Sequence, residues 1–110
     1  MKGNPDGFKV ARNTMCKKYS IQNLGSMKDG KWEVHHFGYD NTFMLQNPNY
    51  GVPLDAVREL QQEGVFAQLY PYYFTTVGTN ASISAMQKNG REIAQELKGN
   101  NVDAVLLVST

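Results

Sequence analysis

Val102-Asp103-Ala104-Val105-Leu106-Leu107-Val108 is the stretch whose reading decides the fold. Seven residues with a single charge, dominated by valine and leucine, form the nearly continuous apolar run of a strand covered on both faces, as parallel sheets require. Ahead of it, residues 81–98 carry Ile83, Met86, Ile93, Ala94 and Leu97 near one helical face, with Gly99-Asn100 as the stop. Gly90 weakens the middle of that helix by roughly 1 kcal/mol relative to alanine. Further upstream, Val65-Phe66-Ala67-Gln68-Leu69-Tyr70 reads as a strand closed by Pro71, which cannot donate to a ladder.

A second helix precedes that strand. Pro53 suits its first turn, Leu54, Val57, Leu60 and Gln61 share a face, Asp55 favours the positive end of the helix dipole, and Gly64 supplies a left-handed stop. Trp32-Glu33-Val34-His35-His36-Phe37 alternates and ends at Gly38, as a first strand does. Residues 1–31 hold three turn-rich clusters and no sustained period, and read as loop with room for one short element. The expectation is an α/β fold: a β-α-β-α-β unit over 32–110 with a parallel sheet and right-handed crossovers, part of a doubly wound, Rossmann-like three-layer arrangement, behind an irregular segment 1–31. The whole chain, 1–110, then makes a single α/β domain or half-domain, and its last strand is expected to present an apolar edge that pairs with another copy.

Composition excludes more than it proposes. In 110 residues, 11 basic and 10 acidic side chains leave a net charge of +1 with no basic stripe, which disfavours nucleic acid and anionic membrane surfaces as partners. No stretch has the apolar length of a membrane span or a signal-peptide core, so a cytoplasmic location is expected. The single cysteine, Cys16, cannot form an internal disulfide, lies in no metal-ligand spacing, and is read as a part-buried free thiol. The methionines suggest no metal box.

Several polar residues are candidates for a site. His36 can carry a proton near neutral pH, beside Tyr39 and Asp40, while His35 is taken as structural. Tyr72, Tyr73, Thr75 and Thr76 offer hydroxyls after the second expected strand, where open α/β sheets bind ligands. An aromatic loop packed over the sheet edge accounts for the same residues. Gly78 serves a turn or a close backbone approach, and Asn80 a helix cap.

Several segments, in order, resemble the selenoprotein subunit of component B of glycine, sarcosine or betaine reductase. They are Lys2-Gly3-Asn4-Pro5-Asp6; Glu33-Val34-His35-His36-Phe37-Gly38-Tyr39-Asp40; the stretch from Pro53-Leu54-Asp55 to Glu63-Gly64-Val65; Tyr72-Tyr73-Phe74-Thr75-Thr76-Val77-Gly78; and the run from Val102 through Ser109-Thr110. Tyr70 departs from the family's usual histidine, and Thr79-Asn80-Ala81 from a Gly-Asn-Gly-Thr-like stretch. The resemblance implies reductive deamination of glycine or an N-methylated glycine toward acetyl phosphate. It implies a selenocysteine directly after Thr110, from a UGA codon read as a stop, and residues missing upstream of Met1. No catalytic residue then lies within the chain, which alone is expected to be inactive, and Ser109 and Thr110 gain interest as neighbours of the selenocysteine. Implied partners are a subunit of component B carrying a pyruvoyl group, the small selenoprotein component A and a small amine substrate. A small non-catalytic α/β binding or interaction protein of the same descent is the alternative.

Overall fold

The computed structural model describes residues 16–30, 32, 34, 36, 38, 40–77 and 81–109. Among these residues the sheet has two antiparallel strands, β1 (Cys16–Ser20) and β2 (Tyr72–Thr76). Cys16 pairs with Thr76 and Ser20 with Tyr72. One more bond extends the pairing, because the Ile21 N–H donates to the Pro71 carbonyl at 2.9 Å. Pro71 lacks an N–H, yet its carbonyl is a full acceptor, so the proline marks where β2 begins rather than where a strand stops.

The parallel β-α-β-α-β arrangement is therefore not what forms. Residues 65–70 run without a ladder, with Val65 largely exposed, and the strand lies just beyond them in the stretch expected to be a loop. Trp32, Val34 and His36 are not in a strand, while their neighbours at 31, 33, 35 and 37 lie outside the described residues. The run 102–109 has no regular structure and is exposed from Asp103 on, with Leu107 at 87%. An apolar pattern shows that a segment suits a sheet but does not supply the neighbouring strand whose backbone groups must complete it. The neighbour β2 has is β1, from the segment expected to be irregular.

Both long helices form close to their expected bounds. In α2 (Leu54–Gln62), Leu54 is buried, Val57 and Gln61 are half-buried and Leu60 is exposed. Pro53 precedes the helix without a side-chain cap, and Asn49 supplies one instead, its Oδ1 accepting from the Asp55 N–H at 3.1 Å. Gly64 follows at φ +78°, the left-handed conformation that glycine adopts most easily. A short helix α1 (Thr42–Gln46) and 3₁₀ turns at Met27–Asp29 and Pro48–Tyr50 lie between β1 and α2.

Helix α3 (Ile83–Gly99) starts on Ser82, whose hydroxyl accepts from the Ala85 N–H at 3.2 Å. It ends in a left-handed Asn101 (φ 56°), with Val102 N–H returning to the Leu97 carbonyl at 3.0 Å. The cap is thus Ser82; Asn80 lies outside the described residues. Of its expected apolar face, Leu97 is buried and Met86 and Ile93 half-buried, but Ile83 is 79% exposed.

The core sits under the start of the sheet. Ile21, Met27 and Leu54 are buried together, with Leu24, Trp32, Val52, Leu69 and Tyr73 packed around them. Arg58 of α2 braces one side: its Nε donates to the Leu24 carbonyl and its Nη2 to the Ile21 carbonyl, both at 2.8 Å. Asp55 braces the other, accepting from the Ser26 hydroxyl at 2.8 Å and the Met27 N–H at 3.1 Å.

Candidate functional site

Strand register decides which hydroxyls share a face. Side chains alternate along β2, so Tyr73 and Thr75 point to the same side, and the partner of Tyr73 across the sheet is Tyr19. The Tyr19 and Tyr73 rings stack at 5.4 Å and 28°, and Trp32 meets Tyr73 edge-on at 6.0 Å and Tyr19 at 6.5 Å. The indole is itself fixed, since Nε1 donates to the Met27 carbonyl at 2.7 Å. A Cβ on Gly30 would run into that indole, so the position accepts nothing larger than glycine while the ring stays there.

Burial raises the Tyr19 phenol above its ordinary value, with the Thr75 side chain opposing it. Burial, and then the Tyr19 charge, raise Tyr73 much further. Both phenols are therefore neutral hydrogen-bonding groups at physiological pH and not bases. What this face offers is hydroxyls on an aromatic floor, suited to orienting a polar group and not to removing a proton. Thr76 lies on the opposite side of β2, paired with Cys16, whose thiol is raised first by burial and then by the Glu92 and Glu96 carboxylates. A thiol shifted upward is a poor nucleophile at neutral pH.

The other expected group forms a turn. The Gly38 N–H donates to His36 Nδ1 at 2.9 Å, which leaves Nε2 to carry the proton in the neutral ring. His36 also exchanges bonds with Asn41, its N–H donating to Oδ1 at 3.1 Å and its carbonyl accepting from Nδ2 at 2.9 Å. Asp40 Oδ1 accepts from both the N–H (2.9 Å) and the hydroxyl (2.6 Å) of Thr42, which hold the carboxyl below its usual range. That geometry starts α1, so Asp40 does structural work in an Asx turn. Tyr39, Gly78 and Thr110 lie outside the described residues, and Ser109 is exposed at the end of the run 102–109.

Sequence reading missed Tyr19 and Trp32 on the aromatic face. It also missed Glu96, whose Oε1 accepts from Lys18 Nζ at 2.8 Å and from the Tyr70 hydroxyl at 2.9 Å. No local pattern announces such groups, because their partners stand 26 and 78 residues away. Among the described residues no three histidine, cysteine or acidic side chains gather as a metal site, and no helix is long and apolar enough to cross a membrane.

The family described as glycine/sarcosine/betaine reductase selenoprotein B (GRDB) matches residues 1–110. The chain is similar to the glycine reductase complex component B subunit gamma of Carboxydothermus hydrogenoformans, 38% identical over 109 residues, which covers 99% of this chain and 25% of that one. The subunit of the same name from Symbiobacterium thermophilum is 39% identical over 112 residues, with the same shares. The sarcosine reductase complex component B subunit beta of Peptoclostridium acidaminophilum is 36% identical over 107 residues, 97% of this chain and 24% of that one. The chain thus spans about a quarter of the length of the curated relatives it matches. No solved structure matches it. Matched from its first residue to its last, the chain belongs to the glycine/sarcosine/betaine reductase selenoprotein B family.

Proposed function

We propose that this chain is a section of the selenoprotein subunit of component B and serves the reductive deamination of glycine or an N-methylated glycine. The observation that carries the reading is the unbroken family match over residues 1–110, together with relatives named for both glycine and sarcosine reductase complexes. In this reading a selenocysteine follows Thr110 and supplies a low-pKa nucleophile, while a pyruvoyl group on a partner subunit activates the amine. Component A and that pyruvoyl subunit are the protein partners.

The chain's own residues then bind and orient. Tyr73 and Thr75, with Tyr19, present neutral hydroxyls to the carboxylate of a small amino acid; Ser109 and Thr110 flank the reactive position. His36 holds its proton on Nε2 as a donor, and Asp40 fixes the turn that starts α1. The open course of residues 102–109 supports this assignment, because a reactive group that meets a partner subunit has to be approachable. The exposed apolar side chains there also support self-association of the chain when it is isolated.

The deciding experiment reads the DNA after the Thr110 codon. An in-frame TGA followed by codons for Gly-Thr-Cys is the expected result. TAA or TAG with no continuing frame would overturn the reading and leave a small non-catalytic binding protein of the same descent.

A further inference from the structure

Two polar ties between α3 and the sheet converge on one atom. Glu96 Oε1 accepts from Lys18 Nζ of β1 at 2.8 Å and from the hydroxyl of Tyr70, just before β2, at 2.9 Å. The Lys18 ammonium also lies 4.5 Å from the centre of the Tyr72 ring, and the Tyr70 and Tyr72 rings contact one another at 5.6 Å. Apolar contact beneath these ties is thin, since Leu97 is the one buried apolar residue among those described in α3. Earlier in the helix, Lys88 pairs with Glu92 at 3.8 Å within α3 itself, so that pair does nothing to hold the helix in place.

We propose that Glu96 is a positioning residue, the clasp that seats α3 on the sheet and so fixes the point from which residues 102–109 leave the helix. The clasp stands on geometry alone; its bearing on catalysis rests on the reading under the previous heading. One carboxylate oxygen joins three separate stretches of sequence, and losing either donor weakens the hold on the helix without abolishing it.

The chain carries its own reporter. Cys16 is its single cysteine, and the thiol lines an open groove of about 430 Å³ with Ala85, Lys88, Asn89 and Glu92 of α3. Loosening the helix therefore uncovers Cys16. The experiment follows the rate at which an aromatic disulfide reagent labels Cys16 in the 110-residue chain. Lys18→Met is expected to speed labelling about two- to five-fold, the range that loss of an exposed ion pair produces. Electrostatics alone predicts the opposite, because removing the cation leaves Glu96 unneutralised and disfavours the thiolate. Tyr70→Phe is expected to act in the same direction and less strongly, Lys18→Arg to restore the original rate, and Lys98→Met, elsewhere on α3, to leave it unchanged.

Unaltered or slower labelling in both Lys18→Met and Tyr70→Phe would overturn the clasp. Far-UV circular dichroism on each variant establishes that α3 is still formed when the rate is read. The result is independent of the codon after Thr110, so the clasp and the assignment of function fail separately.

Discussion

Asp55 shows how a single side chain joins distant parts of this protein. Its carboxylate accepts from Ser26 and Met27, and the Ser26 hydroxyl is the first cause that holds it below the usual range. A carboxyl lowered on folding contributes stability that is complete above its unfolded value, about 4, and is lost as pH falls through the folded one. Glu96, lowered first by Lys18 and then by Tyr70, shares that direction. Urea midpoints measured from pH 6 downward should therefore fall, and Asp55→Asn should begin lower and fall less steeply. Arg58 makes a second residue-scale prediction. Arg58→Met strips the donors from two part-buried carbonyls and should cost about 2–3 kcal/mol in the same urea assay. Lysine should recover only part of that loss, because a single ammonium lacks the planar fork that spans both carbonyls. These groups were illegible from sequence for a plain reason: Arg58 reaches back 34 and 37 residues, and nothing near it in the chain advertises the acceptors. His36 and Asp40 were legible as polar candidates. Their actual bonds, to Gly38, Asn41 and Thr42, build a turn.

Helices and strands differ in how much of their cause is local. Helix α2 could be read from Leu54, Asp55 and Gly64, and α3 from its period and its stop, because a helix satisfies its backbone within its own segment. A strand depends on a neighbour that its own residues do not name. β1 was hidden in residues 1–31, whose turn-rich clusters and lack of a sustained period masked a five-residue strand. Tyr72 to Thr76 looked like a loop because Pro71 precedes it. Two glycines test the helices in opposite directions. Gly90 lies inside α3 with open space where a Cβ would go, so Gly90→Ala should stabilise by about 0.5–1 kcal/mol in thermal melts followed at 222 nm. Gly64 also has room but holds φ +78°, and Gly64→Ala should destabilise by about 1 kcal/mol in the same melts.

At the scale of the whole molecule, the apolar surface is unevenly placed. Among the described residues the buried apolar cluster gathers around Ile21, Met27 and Leu54, while Val105, Leu106, Leu107 and Val108 stand in solvent together. Four consecutive exposed apolar residues favour association. Light scattering against concentration should show the chain self-associating, and Leu107→Lys should shift the onset to higher concentration. The thermal midpoint should stay within about 1 °C, because an 87%-exposed side chain contributes little to the fold. A variant that scattered as strongly as the parent would move the sticky surface elsewhere, with Phe43 and Tyr50 as the next exposed candidates.

The sheet also sets a timetable. Even its nearest pair, Ser20 with Tyr72, closes a loop of about fifty residues, an entropic toll of about 3–4 kcal/mol before any contact rewards it. On the ribosome β1 emerges early and waits, unpaired, while α1 and α2 are made, and it finds its partner only after residue 76 has cleared the exit tunnel. A pause in translation after Ser20 has emerged and before Thr76 has would prolong the life of a nascent chain with an unpaired strand, so slow codons in that interval should lower the soluble yield and slow codons ahead of Ser20 should not.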